Sequence, residues 1–153
     1  MQEPDDSPRH FCYGCGGRNP EGLHIKFEVE GRQVRGRFTA RDTHVGFPGV
    51  AHGGIAAAVL DEAMGWAMYA AGAWAMTARM EVKYRKPLPL GRELTVTAVV
   101  TRERGRVLDA EAQLRDEHGA VIVEAKGMFV RLPRDKQSEF QRFFIGTERV
   151  VPG

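Results

Sequence analysis

One stretch of the chain, residues 54–71, limits the possible folds more than any other. Its sequence, GIAAAVLDEAMGWAMYAA, is rich in the strong helix formers Ala, Leu and Met and is apolar on nearly every face. A surface helix carries an apolar stripe on one side only, so we predict a helix that is buried all round. A chain of 153 residues is long enough to build one core of this kind, and the remaining segments must cover the helix.

The segments on both sides of the predicted helix alternate polar and apolar residues, which is typical of half-buried strands. LHIKFEVE at residues 23–30 and QVRGRFT at residues 33–39 are joined by Gly31 and Arg32, and they predict a hairpin. Four more strands are predicted after the helix, at residues 77–85, 93–104, 106–116 and 121–132. We therefore predict an α+β fold in which an antiparallel six-stranded sheet is wrapped around one long central helix.

The predicted elements divide the chain into three parts. Residues 1–22 form a lead-in with one CxxC motif, residues 23–132 form the sheet and central helix, and residues 133–153 form a C-terminal extension. Three phenylalanines in the polar stretch 133–145 predict a short helix laid over the body, and residues 150–153 are expected to be frayed. The uncovered sheet edges predict that copies of the chain pair into a homodimer at minimum, which leaves a homotetramer open.

Charge balance and cysteine content exclude several classes of protein. Lys and Arg number 22 against 20 Asp and Glu, a balance unsuited to nucleic-acid binding by phosphate neutralisation. Apolar runs fall short of the roughly 18 residues that span a bilayer, and the N-terminal residues lack the pattern of a secretory signal. Both cysteines belong to one CxxC, which excludes a disulfide framework. We expect a cytoplasmic protein that binds neither nucleic acid nor membrane.

The segment GFPGVAHGGIAAAVLD, residues 46–61, carries the strongest indication of function. His52, Gly53 and Gly54 stand where a loop becomes a helix, and the first amide groups of a helix have no partner within it. These N–H groups and the positive end of the helix dipole predict a site for an oxyanion. Asp61 lies seven residues after Gly54, two turns further on and on the same helix face.

Two interpretations of Asp61 follow from its neighbours. An acid in an apolar helix is costly to bury unpaired, so Asp61 is either a structural group with a distant partner or part of an exposed strip with Glu62. The neighbours on its own face, however, are small: Ala57, Ala58 and Gly65 leave room for a slender ligand to pass the carboxylate. A structural acid needs no such space, and we therefore favour a functional role.

These features together resemble the hotdog-fold acyl-CoA thioesterases, and most closely the phenylacetate-pathway-like and mitochondrial thioesterase-superfamily subgroup. The likeness rests on H-G-G followed by Asp nine residues after the histidine, at the start of a long helix between a hairpin and four strands. It covers residues 11–132. The resemblance implies the hotdog fold, dimers formed by edge pairing, and an active site at the protomer interface. It also implies hydrolysis of an acyl-CoA to acid and CoA, with an acyl-carrier-protein thioester left open as the substrate, and no cofactor besides the CoA of the substrate.

The resemblance further implies a role for each residue of the site. Asp61 is the catalytic carboxylate, acting on a water as general base or attacking the thioester directly. Gly54 N–H polarises the thioester carbonyl, and His52 shapes that pocket. Thr77, sixteen residues after Asp61, matches a hydroxyl contributed by the partner protomer. Substrate contacts are expected from Gly46, Val50, Gly53, Ala57 and Ala58.

Two features test how far the resemblance extends. Gly46 stands six residues before His52, where phenylacetate-type enzymes carry an asparagine, and in this the stretch is similar to the mitochondrial members. A non-catalytic acyl-CoA-binding hotdog module is the alternative function. The Asp61–Thr77 pair argues against it, because binding alone does not require a carboxylate paired with a hydroxyl.

The lead-in offers a possible metal site. Cys12 and Cys15 are flanked by His10 and His24, and two cysteines with two histidines can form a tetrahedral zinc site, as in a zinc-stabilised interaction domain. The spacing is not that of a standard finger, and one CxxC without a second pair is a weak pattern. The lead-in is similar to the CxxCG…NPxGL segment of bacterial hotdog thioesterases, which implies no metal, and we predict none.

The sequence gives no specific role to two further groups of residues. Basic residues cluster on the predicted strands, either as a solvated face or as ligands for the phosphates of CoA: Arg79, Lys83, Arg85, Lys86, Arg102, Arg104 and Arg106. Large apolar residues of the helix and the turn after it are interpreted as core and pocket lining: Met64, Trp66, Met68, Tyr69 and Trp74.

Overall fold

The computed structural model describes residues 10–145, so the predicted frayed end at 150–153 and the first nine residues of the lead-in lie outside the described residues. Within that range the strands are β1 Lys26–Glu30, β2 Gln33–Thr39, β3 Val45–Phe47, β4 Val50–Ala51, β5 Ala75–Tyr84, β6 Glu93–Arg104, β7 Val107–Arg115 and β8 Val121–Arg131. The helices are α1 Gly53–Ala70 and α2 Arg134–Ile145.

Six of the strands form one antiparallel sheet in the order β1-β2-β6-β7-β8-β5. This confirms the predicted six-stranded sheet with α1 against it. β1 and β5 are the edge strands, and β5 is bonded to β8 alone, although it follows α1 directly in the chain. The helix α1 packs most closely on β6 and β7 and therefore lies against the central strands of the sheet.

One side of α1 and one face of the sheet form the core. The buried helix residues are Ala56, Val59, Leu60, Ala63, Met64, Ala67 and Met68. Alternate residues of β7 face them, as the period of two predicts. At the β8 crossing, a Cβ added to Gly127 would lie 2.9 Å from Met64 Sδ, so the absence of a side chain lets the helix approach the sheet.

The prediction that α1 is buried all round is wrong for this chain. Gly53, Gly54 and Tyr69 are exposed, and Asp61 and Gly65 are only half-buried. The sheet covers one side of a helix, and nothing within residues 10–145 covers this opposite side completely. The uncovered side is the one that carries the small residues and the acid.

Residues 40–52 hold the start of α1 in place. A 3₁₀ turn at Asp42–His44 precedes a short hairpin of β3 and β4. His52 N–H then donates to the carbonyl of the buried His44 at 2.7 Å. The hairpin therefore fixes the position of the H-G-G segment relative to the sheet.

At its other end, α1 stops at a left-handed glycine. Gly72 has φ +74°, and Ala73 N–H donates to Met68 O at 2.9 Å, which closes the last turn. Only two residues then separate Gly72 from β5, so the chain turns back at once along the helix. This tight return brings the start of β5 beside α1.

The predicted C-terminal helix is present as α2. Phe144 packs on Trp74, with ring centroids 5.8 Å apart, and on His10 of the lead-in at 5.0 Å.

Within the described part of the chain, neither helix has the length and apolarity needed to cross a membrane.

Candidate active site

The start of α1 is capped by a histidine. His52 is the N-cap residue, and its Nδ1 accepts the Gly54 N–H at 2.9 Å. The expectation that Gly54 N–H is a free oxyanion donor is therefore wrong for this chain, because the amide already donates its hydrogen bond to the side chain of His52. Within residues 10–145 the preceding amide, Gly53 N–H, has no acceptor, since the first residue of a helix has none within the helix.

A tyrosine on β5 holds the same turn from the opposite side. The Tyr84 hydroxyl donates to the Gly53 carbonyl oxygen at 2.7 Å. It fixes the peptide plane next to the unpaired amide and joins the helix start to the edge strand. The sequence analysis missed this residue, because its position at the end of an alternating strand resembles that of any exposed tyrosine.

Close packing of the backbone explains why position 46 is a glycine. A Cβ at Gly46 would lie 2.8 Å from the Cα of His52, a separation that real Cβ atoms do not adopt. The backbone of β3 thus passes so close to the H-G-G segment that an asparagine at position 46 would require one of the two backbones to shift. The asparagine-assisted arrangement of the phenylacetate-type enzymes does not fit this chain.

The acid and the predicted hydroxyl meet within one chain. Thr77 Oγ1 donates to Asp61 Oδ1 at 2.6 Å, with Asp61 half-buried and Thr77 exposed. The expectation that Thr77 reaches Asp61 from a partner protomer is therefore not what the structure shows. The physical reason is the tight turn at Gly72, which returns β5 alongside the helix face that carries Asp61.

The unpaired amide and the carboxylate are well separated in one chain. Gly53 and Asp61 are eight residues apart on α1, which amounts to about 12 Å along the helix axis at 1.5 Å per residue. An amide, a carbonyl group and an attacking water in contact with one another bridge roughly 6–8 Å. One chain therefore presents the two parts of the predicted site on the same face but out of reach of a single carbonyl group.

Two cavities border this face. One of about 360 Å³ lies beside the start of α1 and is lined by Val50, Gly53, Tyr84, Arg85 and Lys86 among others. The second, of about 390 Å³, opens beyond Asp61 and is mostly apolar. Its lining includes Gly65, Trp66, Met68, Tyr69, Trp74, Leu132, Phe140 and Phe144. Of the predicted contacts, Val50 and Gly53 line the first cavity, whereas Ala57 and Ala58 lie half-buried on the open side of the helix.

The large apolar residues of the helix divide into the two predicted groups. Trp66, Met68, Tyr69 and Trp74 line the second cavity, and Met68 also belongs to the core. Met64 lies wholly in the core, in contact with the sheet at Gly127.

Of the seven basic residues that cluster on the predicted strands, Arg85 and Arg104 form ion pairs with carboxylates. Arg85 donates to Glu124 at 2.7 Å, and Arg104 is 3.2 Å from Asp109 on the neighbouring strand. Within residues 10–145, Lys86 has no such ion pair, and it lines the cavity beside the helix start. Of Arg85 and Lys86, which both line this cavity, Lys86 is therefore the one whose charge is not neutralised by an ion pair within residues 10–145.

The two cysteines of the lead-in meet an acid of α1. Cys12 Sγ lies 3.5 Å from Glu62 Oε1, and the donor atoms of Cys12, Cys15 and Glu62 are all within 4.8 Å of one another. The bond from the Cys15 thiol lowers the pKa of Cys12, and the same bond and burial raise the pKa of Cys15. Burial also raises the pKa of Glu62.

Of the two flanking histidines, His10 lies beside this cluster but is not one of the three residues whose donor atoms are all within 4.8 Å of one another. His10 Nε2 is 3.9 Å from Cys15 Sγ, whereas the exposed His24 bonds the carbonyl of Asn19. The sequence analysis missed Glu62 as a partner of the cysteines, although a second acid directly after Asp61 is unexpected in so apolar a helix.

Comparison with known families gives a match over the central part of the chain. The family model described as "Thioesterase superfamily" matches residues 48–123, which include α1 and the following strands as far as the start of β8.

Individual proteins give the same result. Acyl-coenzyme A thioesterase THEM4 of Xenopus laevis is 34% identical over 89 residues, which cover 57% of this chain and 40% of the relative. A solved thioesterase superfamily protein matches with a TM-score of 0.72 and 33% identity, and the match covers 75% of this chain and 60% of the solved chain. A Streptococcus mutans protein bound to acetyl CoA matches with a TM-score of 0.67 and 17% identity, over 71% of this chain and 88% of the solved chain. At this low identity the second match shows the fold alone. The chain spans about two fifths of the length of the curated relatives it matches.

Proposed function

Because residues 48–123 match the thioesterase superfamily model, we propose that the chain belongs to this superfamily and hydrolyses the thioester bond of an acyl-CoA to a carboxylic acid and free CoA. The observation that carries this proposal is the 2.6 Å hydrogen bond from Thr77 to Asp61 on the open side of α1. A carboxylate oriented by a hydroxyl, on the same helix face as an unpaired N-terminal amide, supplies a base and an oxyanion donor for one reaction.

The complete site is proposed to form between two copies of the chain. Since Gly53 and Asp61 are too far apart within one helix, a second α1 running antiparallel alongside the first brings Asp61 of one copy to the amide of the other. Two-fold symmetry then creates two equivalent sites. Edge strand β5 supports this arrangement, because its ten residues have one edge that is unpaired within residues 10–145.

In the proposed reaction the thioester oxygen accepts a hydrogen bond from Gly53 N–H, where negative charge develops. Thr77 donates to Oδ1 of Asp61 and leaves the other carboxylate oxygen to take a proton from water. The water oxygen bonds the carbonyl carbon, the carbon–sulfur bond breaks, and the departing thiolate takes up the proton. The sequence also leaves open a direct attack of the Asp61 carboxylate on the thioester. The hydrogen bond from Thr77 holds this carboxylate in place and so disfavours the direct attack.

The two cavities are proposed to hold the two ends of the substrate. The cavity beside the helix start, with Lys86 at its wall, lies where the CoA portion leaves the reacting carbonyl. The apolar cavity of about 390 Å³ beyond Asp61 is suited to the acyl group, because it is lined mainly by aromatic and aliphatic side chains, with His10 and Glu62 also in its wall.

The direct test of the function is release of thiol from acyl-CoAs with short, long and aromatic acyl groups, followed with a disulfide indicator. We expect turnover of at least one class. The alternative, a non-catalytic acyl-CoA-binding module, predicts saturable binding of the same compounds, measured by calorimetry, without release of thiol. If the chain neither binds nor hydrolyses an acyl-CoA of any of the three classes, both functions are contradicted.

Substitution of Lys86 by alanine is expected to raise KM for acyl-CoA about three- to tenfold and to leave kcat nearly unchanged, because one phosphate contact is lost. The measurement compares acyl-CoA with the acyl-pantetheine thioester, which lacks the nucleotide phosphates and should show little change. The matched control is Lys126→Ala, an exposed lysine already paired with Glu111. An equal rise of KM for both substrates would contradict the phosphate contact.

A further inference from the structure

The side chains of Cys12, Cys15 and Glu62 form a cluster that the proposed hydrolysis does not use. Cys12 Sγ lies 3.5 Å and 3.6 Å from the two oxygens of Glu62, and the three donor atoms are within 4.8 Å of one another. Cys15 is buried and the other two are half-buried. Fifty residues separate Cys12 from Glu62, so the fold brings the three groups together.

We propose that Cys12, Cys15 and Glu62 bind a zinc ion and that His10 supplies the fourth ligand. Tetrahedral zinc with ligand bonds of about 2.0–2.3 Å places neighbouring sulfur and oxygen donors about 3.5 Å apart. The distances from Cys12 to Glu62 already have this value. The proposal differs from the expectation of no metal in the sequence analysis, because Glu62 could not be recognised there as a ligand.

The charge of the cluster favours a cation. Within residues 10–145, Glu62 forms no ion pair with a lysine or arginine, although it lies against two thiols in a largely desolvated position. Buried charges in proteins are normally paired or coordinate a metal. Two sulfur donors favour zinc over calcium and magnesium, which prefer oxygen ligands, and two cysteines with one nearby histidine match neither the Cys₄ nor the Cys₂His₂ ligand set of an iron–sulfur cluster.

His10 is the histidine nearest to the three groups, and its ring would shift towards them to complete the tetrahedron. Its Nε2 lies 3.9 Å from Cys15 Sγ, and its buried ring is held edge-on by Phe144 of α2. The Nδ1 atom accepts a long bond of 3.3 Å from Cys12 N–H. Zinc on Nε2 requires the ring proton on Nδ1, so this long bond is given up in the zinc-bound protein.

The loop between the cysteines is shaped for such a site. Gly16 N–H donates to the Cys12 carbonyl at 2.9 Å, which closes the turn that carries both thiols. At Gly14 an added Cβ would lie 2.3 Å from Glu62 Cδ, so the backbone itself rests against the carboxylate. A zinc ion here would tie the lead-in to the turn of α1 that carries Asp61, and it would act as a structural clamp.

The test is elemental analysis of the full chain purified without chelators. We expect about one zinc per chain, and loss of more than nine tenths of it in the Cys12→Ser, Cys15→Ser double variant and in Glu62→Gln. His10→Ala should weaken zinc binding at least tenfold in a chelator competition. The matched control is His24→Ala, which removes the other histidine of the lead-in and should keep its zinc.

A second measurement does not depend on variants that fold. The wild-type chain loaded with Co²⁺ should show the thiolate charge-transfer absorption and the visible bands of a tetrahedral site. The proposal is overturned if the chain carries no stoichiometric zinc and gives no such absorption, or if thiol titration finds Cys12 and Cys15 joined in a disulfide. Full zinc affinity in His10→Ala would overturn the assignment of the fourth ligand. None of these readouts depends on thioesterase activity.

Discussion

Replacement of Asp61 by asparagine is expected to lower kcat for acyl-CoA hydrolysis by about 10²–10⁴-fold, the usual loss for a general base. Asparagine has nearly the same shape and still accepts the hydrogen bond from Thr77, so the site keeps its geometry but cannot take a proton. The measurement is steady-state thiol release, with the thermal midpoint of unfolding as a check on folding. KM should change little, because the carboxylate acts on the water and not on the bound substrate.

Two comparisons make the Asp61 result specific. Glu111→Gln removes an exposed carboxylate from the outer face of β7 and should leave kcat unchanged. Thr77→Ser keeps the hydroxyl and should retain most activity, whereas Thr77→Ala should lose about 10-fold or more as the carboxylate loses its orientation. Near wild-type turnover in Asp61→Asn would show that the acid is not the base, and the proposed mechanism would fail.

Substitution of Gly53 by proline is expected to lower kcat by about 10²–10³-fold, the loss typical of one oxyanion donor. Proline has no N–H, and it suits the first position of a helix. The preceding residue, His52, has φ −58° and ψ 137°, which is the extended conformation that a residue before proline prefers. The substitution thus deletes the proposed donor while the backbone stays as it is.

The matched control at this position is Gly53→Ala, which keeps the amide. Its Cβ would meet Tyr84 at 3.4 Å, an ordinary contact, so we expect near wild-type folding and a loss of less than about 10-fold in kcat. If proline and alanine at position 53 reduced kcat equally, the loss would be due to bulk and the Gly53 amide would not be the donor.

Coexpression of the two inactive variants tests whether a site is shared between copies. A mixed dimer of Asp61→Asn and Gly53→Pro has one site with both groups intact and one with neither, so about a quarter of wild-type activity should return in a statistical mixture. No recovery would indicate that both groups act within one chain, against the separation of about 12 Å along the helix.

The same approach distinguishes the two positions of Thr77. Because Thr77 and Asp61 meet within one chain, coexpression of Asp61→Asn with Thr77→Ala leaves no site with both groups and should restore nothing. Recovery in this mixture would instead place the hydroxyl opposite the acid of the partner copy, as the sequence resemblance implies.

Most of the fold could be predicted because local patterns carry it. The period of two and the glycine turns located β2, β6, β7 and β8 within a few residues, and helix formers located α1. The burial of α1 could not be predicted in the same way. Its mean composition is apolar, but which side meets the sheet depends on the path of β6 and β7, and the open side became visible only in the folded chain.

The site was predictable in its residue types but not in its connections. H-G-G and Asp61 indicated an oxyanion site and an acid, yet the choice between Gly53 and Gly54 depends on which amide the His52 ring occupies. The partner of Thr77 depends on how tightly the chain turns at Gly72. Glu62 and the CxxC are separated by fifty residues, so no spacing rule connects them.

The sequence by itself determined the elements and their order, the helix start with its small residues, and the acid, because periodicity, helix propensity and glycine content act over a few neighbouring residues. Tertiary structure alone decided which side of α1 is open, that Thr77 bonds Asp61 in the same chain, and that Cys12 and Cys15 meet Glu62. These contacts arise from the packing of segments far apart in the chain, and local preferences contain no information about them.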